Sequence, residues 1–445
     1  MWLSFTRFST PSGGRSHDAT AKSVRLFDGS RVRLYENSRT AELSNCRTLF
    51  FSIRGILMPT TSPMTLGVTV LGYTGVAKAH LNALKKLPYV FWPSPVRFRL
   101  LGIGGRTHAA VEDAARRYGF EYATTEWRRL VDDPRAGLFI NCAPNDAHAE
   151  PCLAAAAQGK HLLCEKPLAR DPREARRMWE GVRRGRIQHL VGFNYRFVPA
   201  VRLAREMIQA GELGDMIHFR TRYTDDSLSD PATPHTWRQE KHRAGSGAVA
   251  DIASHILDLA RFLVGELKGV AGLSRIVIPR RPATAGSRRT KPVDVEDLYE
   301  GVIEFVNGAM GTLEVSTFCP GRKNYLTFEV NGTRGSLCFN LERLNELEVF
   351  RAEPRTRRDR GFKTILVTDH DHPYGGKWWP PGHIIGWEHT FVHQLYHLVK
   401  AVVGQEPLTP LAADFQDGYV NAVLCDALLQ AARSKRYVLI KASHQ

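Results

Sequence analysis

Residues Thr65-Leu-Gly-Val-Thr-Val-Leu71 run straight into Gly72-Tyr-Thr-Gly75, and Val76 to Leu87 follow with leucines at helical spacing. A short apolar run, a glycine turn and an amphipathic stretch read as strand, turn and helix. The N-H groups and dipole at the start of such a helix favour a pyrophosphate. If Gly72 is the first glycine of G-x-G-x-x-G, Thr74 stands at the second position and Ala77 at the third, where alanine is an accepted variant. Thr74 is a departure, because the second glycine normally lets the diphosphate approach the backbone; neighbouring Gly75 is placed to restore that room. Taken alone, the loop fits a plain tight turn equally well.

Outward from this unit the same rhythm continues. Strands are expected at Arg97 to Ile103, Gly137 to Cys142, His161 to Cys164 and His189 to Phe193, alternating with helices at Ala109 to Tyr118, Ala149 to Gln158 and Pro172 to Arg184. That alternation predicts a parallel, doubly wound sheet. After Asn194 the pattern shifts to a helix (Ala200 to Ala210), a strand (Met216 to Tyr223), a helix (Ala248 to Val264) and then a series of strands. Leu298 to Val306 and Ala309 to Phe318 meet at Asn307-Gly308, a strong hairpin signal. The fold class expected is α/β: an N-terminal Rossmann dinucleotide-binding domain (64–193) followed by an α+β domain with a large, mostly antiparallel open sheet (194–445) for substrate binding and oligomerisation. Residues 1–63 lack clear periodicity and end in Pro59-Thr-Thr-Ser-Pro63, so they read as a poorly structured extension, dispensable if synthesis began at Met64.

The 445 residues, 43% of them hydrophobic, suffice for two or three domains. No apolar stretch reaches the ~18 residues of a membrane helix, since even Leu49 to Met58 is broken by Arg54. The seven cysteines are scattered without a C-x-x-C pair, which points to a reducing, cytoplasmic setting. The net charge of +16 gathers in residues 1–63, in Ile278 to Pro292 and in Arg351 to Lys363. None of these interleaves its basic residues with aromatics as a nucleic-acid groove would, so neither nucleic acid nor membrane is expected as a partner.

Two further motifs carry chemistry. Cys164-Glu165-Lys166-Pro167 ends a strand, the edge of a parallel sheet where ligands bind, so Lys166 would point into the nicotinamide crevice; a surface lysine before a turn proline is the plain alternative. Gly245 to Asp258 places Asp251 and His255 four residues apart on one helical face, apart from the core stripe Ile252, Ile256, Leu259 and Leu263. Removing hydride from a secondary alcohol requires a base for the hydroxyl proton, which histidine can be, with a carboxylate to orient it. A surface Asp-His pair and a pair of metal ligands remain alternatives. His389, His393 and His397 also repeat every four residues, but H-E-x-x-H is absent, and no metal is expected.

Together these phrases, with Ala143-Pro-Asn145-Asp-Ala-His148, Gly192-Phe-Asn194-Tyr-Arg196-Phe and the Trp378 to His389 tail, resemble the glucose-fructose oxidoreductase and inositol dehydrogenase family, Gfo/Idh/MocA, from about Met64 to the C-terminus. The resemblance implies an NAD(P)-dependent oxidoreductase moving hydride between a nicotinamide and a hydroxyl-bearing carbon of a sugar, inositol or related polyol. It implies Lys166 as anchor of cofactor and substrate hydroxyl, His255 as general base and Asp251 as relay. Gly72, Tyr73, Thr74, Gly75, Val76, Arg106, Ala143, Pro144, Asn145, His148, Glu165 and Lys166 would hold NAD or NADP. Asn194, Arg196, Trp237, Asp251, His255 and His389 would line the substrate pocket. A cis peptide before Pro167 and a homodimer or homotetramer are also implied. A non-catalytic dinucleotide or sugar sensor on the same fold is the alternative. At the end of the second strand Arg106 stands where an acidic residue would select NAD, so NADP is expected to be accepted at least as well.

Overall fold

The computed structural model describes residues 63–352, 358 and 360–441. The expected extension 1–63 lies outside the described residues except for Pro63. Among the described residues the chain begins with β1 (Met64–Leu71), α1 (Ala77–Val90), β2 (Val96–Gly104), α2 (His108–Tyr118), β3 (Tyr122–Thr124), α3 (Trp127–Asp132), β4 (Ala136–Asn141), α4 (Ala149–Ala157), β5 (His161–Cys164), α5 (Pro172–Val182) and β6 (His189–Val191). The strands lie parallel in the order β3-β2-β1-β4-β5-β6. The winding changes direction between β1 and β4, and the crevice at their carboxyl ends is where such sheets take ligands. Val68, Val70, Leu101, Ile103, Leu138, Phe139 and Ile140 are fully buried, as strands covered on both faces require.

The second part opens with α6 (Pro199–Gln209) and β7 (Met216–Thr224). A π-helical turn, Val249–Ala253, then runs into α7 (Ser254–Leu263), where the sequence predicts one regular helix. Next come β8 (Leu267–Arg275), a two-stranded arm of β9 (Arg280–Pro282) and β10 (Thr290–Pro292), β11 (Leu298–Phe305), β12 (Met310–Ser316), β13 (Tyr325–Gly332), β14 (Gly335–Asn340), β15 (Glu346–Arg351) and β16 (Lys363–Leu366). α8 (His389–Val402), α9 (Phe415–Ser434) and β17 (Val438–Leu439) close the described chain. The large sheet runs β16-β15-β14-β13-β7-β12-β11-β8-β17, antiparallel throughout except where β12 lies parallel to β7. Period-two burial sends Leu326, Phe328 and Val330 of β13 inward, and they join residues of α7 such as Ile256 and Leu259 in one core. The β11–β12 hairpin turns at Gly308, whose φ of +89° is the left-handed conformation such a turn demands.

α8 does not stay with the second sheet. Its Val392, Leu395, Leu398 and Val399 pack with Leu81, Leu84 and Leu87 of α1, inside the core of the first sheet. Phe91, just past α1, stacks on Tyr396 with ring centroids 3.9 Å apart.

Candidate active site

The crevice at the switch point is a cleft of about 930 Å³. Its first half is built from turns at strand ends: Leu71 to Val76 after β1, Gly105 and Arg106 after β2, and Cys142 to Ala147 after β4. Gly72 has φ +111°, and a Cβ there would stand 2.8 Å from the Cys142 carbonyl oxygen, so only glycine fits. A Cβ on Gly75, at φ +56°, would meet only open space. α1 begins without a side-chain cap; the N-H groups of Ala77, Lys78 and Ala79 donate to the carbonyls of Thr74, Gly75 and Val76, so the helix offers a phosphate the positive end of its dipole. This cradle fits the pyrophosphate of a nicotinamide dinucleotide, with Thr74 at its mouth in place of the usual glycine. The Tyr73 ring covers Gly105, where a Cβ would come within 2.1 Å of it, and Arg106 lies exposed at the rim.

The second half holds the titratable groups. Lys166 follows β5, its peptide to Pro167 is cis, and its ammonium donates to Asp251 Oδ1 at 2.8 Å and to the Asp251 carbonyl at 2.7 Å. Glu165 is held from beneath: its Oε1 lies 2.7 Å from His80 Nε2 of α1, and its Oε2 accepts the Lys166 N-H. Asp251 sits on the π-helical turn, a local widening that recurs at functional sites. His255 stands one turn further along, 6% exposed, its ring 4.5 Å from that of Tyr195 and 5.9 Å from those of Phe193 and Tyr223.

Electrostatics assigns these groups opposite states. Removal from water would raise the Asp251 carboxyl, but the cations of Lys166 and Arg238 outweigh it and hold the pKa at about 2. Burial, reinforced by the Lys166 charge, drives His255 well below an ordinary imidazole. Near neutrality the cleft therefore presents a carboxylate bound to a fixed ammonium beside an uncharged imidazole. Such a set can orient a hydroxyl and take its proton as hydride leaves the carbon.

Most of the expected residues meet here. Gly72 to Val76, Arg106, Ala143 to Asn145, Glu165, Lys166, Asn194, Trp237, Asp251 and His255 all line the cleft. Three are placed otherwise. His148 is fully buried behind it, its Nδ1 3.0 Å from the Pro167 carbonyl and its Nε2 2.9 Å from that of Ala143, tying the two turns together. Arg196 points into the core, where it pairs with Asp258 and Asp417. His389 turns from the cleft to accept the Gly386 N-H. Its companions are also engaged, His393 with Trp378 and His397 with Tyr374 and Glu406, and among the described residues no metal-holding group occurs. Tyr195, Tyr223, Asp297, Thr317 and Trp387 line the cleft without having been singled out from sequence. Tyr223 closes a strand, the one signal that could have marked it; Tyr195 is visible only as the neighbour of Asn194.

Comparison with known proteins agrees with this fold. Residues 66–193 match the model of the oxidoreductase family with NAD-binding Rossmann fold, and residues 201–338 match the GFO/IDH/MocA C-terminal domain. The chain is 40% identical over 385 residues to levoglucosan dehydrogenase of Pseudarthrobacter phenanthrenivorans, covering 84% of this chain and 97% of that protein. It is 30% identical over 256 residues to scyllo-inositol 2-dehydrogenase (NAD(+)) of Bacillus subtilis, covering 57% of this chain and 70% of the other. Among solved structures, levoglucosan dehydrogenase in complex with NADH and levoglucosan matches with a TM-score of 0.81 at 40% identity, over 85% of this chain and 100% of that one.

Proposed function

The chain belongs to the Gfo/Idh/MocA family and is an NAD(P)-dependent sugar or polyol oxidoreductase, and on that premise we propose that it oxidises a secondary hydroxyl of a cyclic sugar through Lys166, Asp251 and His255. The observation that carries the assignment of roles is the Lys166–Asp251 contact beside an uncharged, buried His255. Bound nicotinamide supplies the hydride acceptor. The cradle of Gly72 to Val76 binds the pyrophosphate, and Arg106 lies at the adenosine end. Lys166 donates a hydrogen bond to the substrate hydroxyl and holds its oxygen. A nitrogen of the His255 imidazole receives the hydroxyl proton as the C-H bond breaks, leaving a carbonyl. Asp251 fixes the lysine and offsets the positive charge that then develops on the imidazole. The carbonyl product and the imidazolium account for the carbon, the oxygen and the proton.

Levoglucosan is the first compound to test, because a relative 40% identical over 97% of its length is a levoglucosan dehydrogenase. The protein should be mixed with NAD or NADP and levoglucosan, scyllo-inositol, myo-inositol or D-glucose, and reduced cofactor followed by absorbance. Formation with at least one of these is expected. Reduction of neither cofactor by any of them would sink the function. The same reading assigns 64–193 to the dinucleotide domain and 194–445 to the substrate domain, supported by the change of sheet between β6 and β7. Free thiols at Cys142, Cys152, Cys164, Cys319, Cys338 and Cys425 support a reducing, cytoplasmic location. Exposed Ile217, Leu273, Val302 and Met310 on neighbouring strands of the large sheet support a homodimer or homotetramer.

A further inference from the structure

Between β16 and α8 the chain crosses the molecule as an irregular strap, residues 367–388, and its anchors explain the histidine repeat of α8. Val367 N-H donates to the Asn345 carbonyl, and the Asn345 side chain grips Ile385 through both its N-H and its carbonyl, at 2.9 and 2.8 Å. Tyr374 OH lies 3.0 Å from His397 Nε2, Trp378 Nε1 donates to His393 Nε2 at 2.7 Å, and Gly386 N-H donates to His389 Nδ1 at 3.1 Å. Each histidine of the ladder thus holds one point of the strap. The Nδ1 of His393 stands 3.0 Å from the Phe197 carbonyl, which fixes the tautomer that leaves Nε2 free to accept. Burial pushes His393 down to about 3, so it remains an acceptor at any physiological pH.

The strap delivers Trp387. Its ring packs edge-on against Phe391, centroids 4.7 Å apart, and its carbonyl accepts from Thr390 Oγ1, which in turn accepts from Asn194 Nδ2. Asn194 is next to Tyr195, whose ring lies against His255, and Phe391 lies 4.9 Å from the ring of His80, the partner of Glu165, so the indole borders the side of the cleft that holds Glu165 and Lys166. Trp387 lines the same cleft as Lys166, Asp251 and His255 and is 40% exposed, so its indole offers a large apolar surface there. A cyclic sugar offers a complement: hydroxyls on its rim for Lys166 and His255, and a C-H face with nothing to hydrogen-bond.

We propose that Trp387 is a specificity-determining residue, the platform on which the C-H face of a cyclic sugar rests, held in place by the strap hung on His389, His393 and His397. The proposal rests on the sugar dehydrogenase function above and names the side chain that selects a ring. The test uses the full chain, levoglucosan or whichever sugar of the panel is turned over, and two readouts: KM for the sugar and the NADH dissociation constant from fluorescence titration. Trp387→Ala should raise the sugar KM about tenfold or more, and Trp387→Phe should keep it within about threefold of wild type, because a smaller aromatic face remains. NADH affinity should stay within about twofold in both. Trp378→Phe, which removes the donor to His393 and trims the ring that packs on His389 and Phe91, should raise the sugar KM by an intermediate factor. An unchanged KM in Trp387→Ala, or an NADH constant that rises in step with KM, overturns the platform; an unchanged KM in Trp378→Phe overturns the role of the strap. If wild type turns over no sugar, the function fails and the platform with it, whereas failure of the platform alone leaves wild-type turnover intact.

Discussion

Replacing Arg196 with methionine separates a structural role from the substrate-binding role that its sequence neighbourhood suggests. In the fold its side chain is 4% exposed, and Nε and Nη2 donate to the two oxygens of Asp258 at 2.9 and 2.6 Å. Nη1 reaches Asp417 at 3.3 Å, and the guanidinium lies 4.9 Å from the Phe262 ring centroid. Methionine refills most of the volume, and Asp417 keeps its 2.8 Å bond to Arg261. Asp258 alone is stranded, fully buried and without its cation. Removing one partner of a buried ion pair costs roughly 3–5 kcal/mol, and with packing and the second carboxylate preserved the lower end, about 3 kcal/mol, is expected. Urea unfolding at neutral pH should show it. The pH dependence has a definite sign: burial already raises the Asp258 pKa despite Arg196, and losing the arginine raises it further, so the native state favours the protonated acid. The deficit against wild type should therefore shrink as pH falls toward that raised pKa, and Arg196→Met/Asp258→Asn should recover part of it at neutral pH. An unaltered unfolding midpoint combined with a raised sugar KM would refute the reasoning and return Arg196 to the pocket.

Loss of the proposed base or its lysine should be far costlier to turnover than to folding: His255→Asn and Lys166→Ala should each lower kcat at least about a hundredfold with an unchanged circular dichroism spectrum, and near-normal turnover in both would eliminate the mechanism. Because burial and Lys166 lower the His255 pKa, the imidazole stays neutral, and able to accept a proton, to lower pH than a free one. The acid limb of kcat/KM should accordingly lie below ~6.5, and an inflection at or above that value that disappears in His255→Asn would contradict the burial argument. At the other end of the cleft, NADPH should bind at least as well as NADH, and Arg106→Ala should weaken NADPH more. A strong NADH preference untouched by the substitution would show that Arg106 does not read the 2′-phosphate.

The first sheet was readable because its strands are buried on both faces and each leads into an amphipathic helix; β5 is found at its expected bounds, and β1, β2 and β4 within a residue. β3 escaped notice because a three-residue edge strand carries no period. β8 was missed for a different reason: Gly269 and Gly272 break its apolar pattern, yet a Cβ at either would come within 2.4 Å of a tyrosine hydroxyl, Tyr437 or Tyr299, so the glycines mark close packing and not a turn. In the site, residues on local motifs were legible, since a strand end or a helical spacing fixes their direction. Direction failed where long-range partners decide it. Nothing near Arg196 announces Asp417, which lies more than two hundred residues along the chain, whereas His389 is turned by the N-H of Gly386, three residues before it, a contact that helical spacing does not reveal.

The docking of α8 on α1 has a consequence for biosynthesis. The apolar flank of α1, Leu81, Leu84 and Leu87, is covered in full only when residues from His389 onward exist, about 300 positions later. At roughly 5–20 residues per second the ribosome needs on the order of 15–60 s to supply them. Throughout that interval the nascent dinucleotide unit presents a greasy seam to its surroundings, an invitation to chaperones and to premature association. A message cut short before His389 would yield a chain that holds the nucleotide cradle but cannot close the core beneath it.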